Sequence, residues 1–164
     1  MDFYVILLRI IHIFGGIYWV GTAFFLAVVL VPASRRLGAN SMTVTGPVYS
    51  NPMFGIGFAA SAILTTVAGT LLWWEISDGF NADYMGSDQG IVLSIGVLAG
   101  FLGFGHGLGA LGRYGRKFEQ AYTAEPRDVE AATQAENKIA RNSYISLGLM
   151  IISVVGMSSA RYVG

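Results

Sequence analysis

The sequence predicts an all-α fold: a four-transmembrane-helix bundle with both termini outside and a cytoplasmic helix preceding the fourth span. Three observations carry that expectation. Only 12% of the 164 residues are charged and 54% are hydrophobic, whereas an ordinary soluble domain carries about 25% charged residues. Four apolar segments reach the ~20 residues needed to cross a hydrocarbon core of roughly 30 Å. Lipid offers no hydrogen-bond partner to an open backbone, so helix is the default form of such segments. The mean hydropathy of +0.57 agrees, and the composition excludes a cytosolic enzyme and a disordered tail alike. A net charge of zero gives no electrostatic case for nucleic acid. With no cysteine there is no disulfide, no thiolate nucleophile, no cysteine-ligated cluster and no covalent haem attachment motif.

The spans are expected at about 3–33, 54–76, 90–112 and 142–162, all in one membrane domain covering 1–164. The first is interrupted only by Arg9 and His12. It opens on Asp2 without a basic leader and is too long for a signal-peptide core, so it reads as a span. The first connection holds Arg35 and Arg36, and the third holds Arg113, Arg116, Lys117, Arg127, Lys138 and Arg141. The second holds Asp78, Asp83 and Asp88 and no base. Eight of the ten basic residues thus lie on one face, which the positive-inside rule assigns to the cytoplasm. Trp73, Trp74, Tyr84 and Tyr162 fit an aromatic belt at the opposite interface. Within the third connection, Pro126 stands at a plausible first helical position, acids follow it and bases come later. A helix over about 126–141 is expected there, as a solvated extension that feeds the fourth span, with docking to another subunit as the alternative.

Ionisable groups at membrane depth cost ~2.5–3.5 kcal/mol on insertion scales and are functional candidates by default. Arg9, His12 and His106 are the three. Arg9 and His12 share a helix face with Gly16 and Trp19, while His106 stands among Ala99, Gly103, Gly107 and Ala110. Bare backbone beside a histidine suits a flat macrocycle whose iron takes the imidazole. It equally suits close helix packing, and the pairs Gly96/Gly100, Gly103/Gly107 and Gly105/Gly109 make such packing the simple purpose of the third span. In the last span Ser143, Ser146, Met150, Ser153 and Met157 form one soft polar stripe. It is either an ordinary interior face or a source of a thioether ligand from Met150 or Met157. Thr66 and Thr70, four apart, can face the same interior. His12 follows Asp2 by 10 residues and His106 follows Asp88 by 18. Compared from both membrane faces, the two histidines differ in depth by roughly 12–24 Å, more than ordinary tilt closes. His12 matches Met157 in depth, and His106 falls near Met150 or Ser146.

The run LLRIIHIFGGIYWVGTAFFLAVVLVPASRR resembles the opening helix of a superfamily of small bacterial membrane proteins. It includes the copper-resistance D family, the four-helix membrane protoporphyrinogen oxidases and related integral membrane proteins. The shared elements are His12, Trp19, Gly21 and a proline with bases at the cytoplasmic end. The resemblance implies a bacterial inner-membrane protein with a b-type haem in a helix bundle and His12 as a ligand. The oxidases pair that histidine with a lysine early in the third span. Here that depth offers Ser94, Ile95 and Gly96, and no lysine lies in any span, which argues against oxidase activity. Met85 and the acids of the second connection make a poor copper site.

The functional expectation is a haem-b membrane protein in electron transfer, exchanging electrons with a quinone or a partner, or serving as a subunit of a respiratory or photosynthetic complex. His12 and His106 are its candidate metal ligands, with Arg9, Gly16, Trp19, Met150 and Met157 around the cofactor and Arg9 near a propionate. A second expectation is a cofactor-free accessory subunit, meeting protein partners or a second copy through the glycine-rich third span. A metal or solute transporter is the third, thinly supported by four spans with no central acid. An independent enzyme is not expected, because no nucleophile–base pair occurs at membrane depth.

Overall fold

A computed structural model describes residues 3–163; Asp2, one reference point of the depth comparison, lies outside them. The described chain is helical, with no strand. Four helices are long and apolar enough to cross a membrane: α1 Phe3–Asn40, α3 Pro52–Ile76, α5 Asp88–Thr123 and α6 Val129–Tyr162. Two short helices sit between them, α2 Met42–Tyr49 and α4 Ala82–Gly86. Both connections were expected to be loops. The helix α4 is set by Asn81, whose side-chain oxygen accepts the N–H groups of Asp83 and Tyr84, the cap that short polar residues supply.

The bundle is built from two antiparallel pairs. In the first pair, His12 meets Thr65 and Gly69, and Tyr18 lies over Gly57. In the second, Gly96 meets Gly156 so closely that a Cβ on Gly96 would fall 2.8 Å from the Met157 nitrogen. Only hydrogen fits there, which is the close approach that small residues permit in a membrane. Contacts are dense within each pair and sparse between α1 and α6 and between α3 and α5. The pairs therefore leave a cleft between them. Each of α1 and α5 also contains one wide turn, Phe25–Leu30 and Gly107–Leu111, with π-type hydrogen bonding; such turns cluster at functional sites.

The third connection departs from expectation. The helix of the third span does not end near Gly112 but runs to Thr123, and the following one begins at Val129, not Pro126. Pro126 lies in the short link, and Asp128 caps the new helix by accepting the Ala131 N–H at 2.9 Å. The stretch that was expected to be solvated is buried along one side. Ala132, Ala135 and Ile139 pack with Leu111, Phe118 and Ala121 of α5. The amphipathic continuation of α5 supplies the partner, so the chain covers its own helix. Tyr122 stacks on Phe118 with centroids 5.6 Å apart, and Tyr49 meets the same ring edge-on at 5.3 Å. Tyr49 lies near Glu136, whose Oε2 accepts a hydrogen bond from Ser41 at 2.9 Å. Burial first, and the Glu136 charge second, push the Tyr49 hydroxyl well above the usual tyrosine value.

Candidate functional site

The cleft between the helix pairs holds a cavity of about 830 Å³ to which all four long helices contribute. That volume falls within the roughly 300–1,000 Å³ of small-molecule and cofactor sites. It lies in the half of the bundle that contains the start of α1, the end of α6 and α4. Leu72, Val97 and Phe101 give it apolar walls, and Thr66 and Thr70 of α3 add hydroxyls. Thr70 returns its hydroxyl to the Thr66 carbonyl at 2.8 Å, as helical threonine does to satisfy itself. No acidic residue lines the cavity among the described residues.

His12 is the best-defined polar group on its wall. Its Nδ1 lies 2.8 Å from the Thr65 carbonyl oxygen. A carbonyl can only accept, so Nδ1 carries the proton and donates it. Nε2 is then the nitrogen with a free lone pair whenever the ring is neutral, and it makes no hydrogen bond among the described residues. This is the arrangement in which a main-chain carbonyl behind the ring fixes the tautomer and rotation of a metal-binding imidazole. The ring rests on Gly69, where an added Cβ would fall 2.6 Å from Cε1 and 2.8 Å from Nδ1. The bare backbone of Gly69 thus gives the imidazole room, and the carbonyl one turn earlier on the same helix holds it.

Arg9, Gly16 and Trp19 line the same cavity as His12, as their shared helix face requires. Opposite them, Met150 and Met157 contribute from α6. Met150 is buried against Trp19, Ala23 and Ala62 at the closed end. Met157 is half-buried, and its sulfur receives a long hydrogen bond of 3.9 Å from Ser153. Trp19 is 4% exposed, yet its indole Nε1–H has no partner. An orphaned buried donor of this kind normally meets a water or a ligand.

His106 is not brought to this site. It lines neither the large cavity nor a second one of about 380 Å³ beyond Phe58. Its Nε2 is buried without a hydrogen-bond partner. The neighbouring Gly107 leaves space that Phe58 occupies, a Cβ there falling 3.5 Å from that ring. Trp19 and Phe58, with Phe104 edge-on to Trp19 at 6.3 Å, separate the two cavities.

Three contributors were not found from sequence. Thr65 and Gly69 looked like ordinary members of an apolar run, and their pairing with His12 spans a separation that no local pattern reports. Arg161 also lines the cavity. A base at the end of a span reads as an interfacial anchor; the usable signal was its position on the acidic face, against the charge asymmetry of the chain.

The donor set discriminates among ligands. No group of three His, Cys, Asp or Glu residues that could hold a metal occurs among the described residues. Bare zinc or copper takes three or four protein ligands, which one imidazole and thioethers do not supply. A macrocycle brings four nitrogens of its own and asks the protein for one or two axial ligands, such as His or His with Met. The residues present fit such a group. No protein-family model, curated protein or solved structure matches the chain.

Proposed function

We propose that the chain is an integral membrane haem-b protein that works in electron transfer. In this reading the residues of the cleft between the two helix pairs would hold the macrocycle, and the basic face of the bundle is cytoplasmic, which places both termini outside. The observation that carries the reading is the His12 imidazole. It is held through Nδ1 by a main-chain carbonyl, with Nε2 unengaged on the wall of a cavity large enough for a cofactor. Haem b, when bound, supplies a one-electron iron couple. The chain supplies the remainder. His12 would hold the iron through Nε2, and Thr65 fixes the tautomer and aim of its ring. Met157, facing the same cavity, offers a soft second donor, and Leu72, Val97 and Phe101 keep water from the ring. Phe104, Trp19 and Phe58 form an aromatic layer toward the second cavity, where a quinone or a partner would exchange electrons.

The direct test is a pyridine-haemochrome assay on protein purified in mild detergent and reconstituted with ferric haem. The expected result is a b-type spectrum with close to one haem per chain. A wild-type protein that is folded and monodisperse, yet shows no Soret band and retains no iron, contradicts the reading.

One observation favours a complex subunit over a free-standing carrier. Gly96 and Gly100 are used inside the chain against α6, but Gly105 and Gly109 have nothing within 4 Å of where a side chain would begin. They leave a bare strip on α5 for lipid or a partner helix. A Gly109→Leu variant is expected to keep its haem and to lose the subunits that co-purify with wild type.

A further inference from the structure

Ten basic residues occur in the chain, and eight of them lie toward one end of the bundle, in the helix ends and the link between α5 and α6. The other two are Arg9 and Arg161, near opposite ends of the sequence. The fold brings both to the lining of the His12 cavity. Arg9 comes from the first turns of α1, three residues before His12, and Arg161 from the last turn of α6. The nearby connection, residues 77–87, carries Asp78 and Asp83, yet no acidic residue lines the cavity among the described residues. Arg161 is positioned by its neighbour: its guanidinium lies 4.5 Å from the Tyr162 ring centroid and donates to the Tyr162 hydroxyl. Two guanidinium groups thus share one mostly apolar cavity with a single imidazole, and among the described residues no carboxylate lines it.

We infer that Arg9 and Arg161 are a two-point clamp for a ligand with two carboxylates on one edge, and that they set which edge of the macrocycle faces the chain termini. This rests on the haem reading above and deepens it. Charge-assisted hydrogen bonds from guanidinium to carboxylate are among the stronger polar contacts, and their fork geometry favours planar carboxylates. An apolar ring beside an imidazole, with two anions at one rim, describes a metalloporphyrin carrying its two propionates. A quinone has no carboxylate and would leave both cations unanswered. The clamp also accounts for two arginines at one end of a chain that otherwise keeps its basic residues at the other.

The test compares ferric protohaem IX with its dimethyl ester, which keeps the ring and iron and lacks both negative charges. Each is titrated into detergent-purified full-length protein, with binding read from the Soret band. Wild type is expected to bind the diacid at least roughly tenfold more tightly than the diester. R9Q and R161Q should each erode that ratio, and the double variant should bring it close to one. R9K/R161K should recover part of it. The diester should keep its Soret position in every variant, because the iron still meets His12. Equal affinity of wild type for both haems, or a ratio unchanged in R9Q/R161Q, overturns the clamp while leaving the haem reading in place. An anionic phospholipid retained by wild type and lost in R9Q/R161Q, with both haems bound alike, assigns the arginines to a headgroup and overturns it too. Failure of wild type to bind either haem removes the haem reading and the clamp with it.

Discussion

The two histidines stand in similar sequence surroundings and in opposite physical situations. Each is within four residues of glycine in an apolar helix. His12 has a defined hydrogen bond to a carbonyl, a glycine beneath its ring and a cavity in front of it. His106 has a buried nitrogen with no partner and lines neither cavity. The difference originates in the opposing helix. Glycine near a histidine offers room, but only the α3 register, with the Thr65 carbonyl one turn from Gly69, turns that room into an aimed donor. A site is therefore a property of two helices in register, and one helix alone does not specify it.

The sharpest way to break this comparison is to remove each imidazole in turn. His12→Ala is expected to abolish the Soret band of the reconstituted protein. His106→Ala should leave band position and haem content unchanged. Loss of the spectrum in the His106 variant alone would reverse the assignment. Next comes the platform. Gly69→Val should drive the ring off Thr65 and weaken haem binding by roughly 10- to 100-fold, the usual cost of losing the hydrogen bond that orients a ligating imidazole. Gly105→Val, where space is open, should have no such effect on a haem titration. An equal response from both glycines would show that the changes act through helix propensity and not through His12.

The comparison extends to the two ends of the bundle. The basic end holds a close-packed aromatic core with Phe118 fully buried. Phe118→Ala should cost about 3–5 kcal/mol of stability, visible in thermal unfolding, while the folded fraction keeps the wild-type haem spectrum. A smaller effect is expected at alkaline pH. Tyr49 is a neutral acid whose folded value is raised, so its contribution is fully present below the unfolded tyrosine value, about 10, and is lost as pH climbs above it. Wild type should lose more stability than Tyr49→Phe in unfolding measurements above about pH 10. Parallel curves would place the tyrosine in wetter surroundings.

The long helices were legible because a membrane demands ~20 apolar residues per crossing, a signal no soluble helix imitates. The Arg9–His12–Gly16–Trp19 face was legible from helical periodicity alone, and all four residues line the cavity. Three features were not legible. The helix α5 passes its expected end near Gly112 because its extension to Thr123 is amphipathic and buries Phe118 against Ala132, Ala135 and Ile139, a pairing visible only once α6 is placed. The wide turns at Phe25–Leu30 and Gly107–Leu111 leave no mark in composition. Arg161 comes to the same cavity as Arg9 only because the first and last helices both border it, a relation that a pattern along one helix does not report.

The central claim is that the Nε2 of one histidine grips an iron, and the chain has only two histidines. Protein labelled with ¹⁵N at histidine alone and loaded with ferric haem permits a pulsed electron paramagnetic resonance measurement of nitrogen couplings to the metal. The account predicts a ¹⁵N imidazole coupling in wild type that persists in His106→Ala and vanishes in His12→Ala. Couplings confined to the porphyrin nitrogens in wild type, or a ¹⁵N signal that disappears with His106, would contradict it.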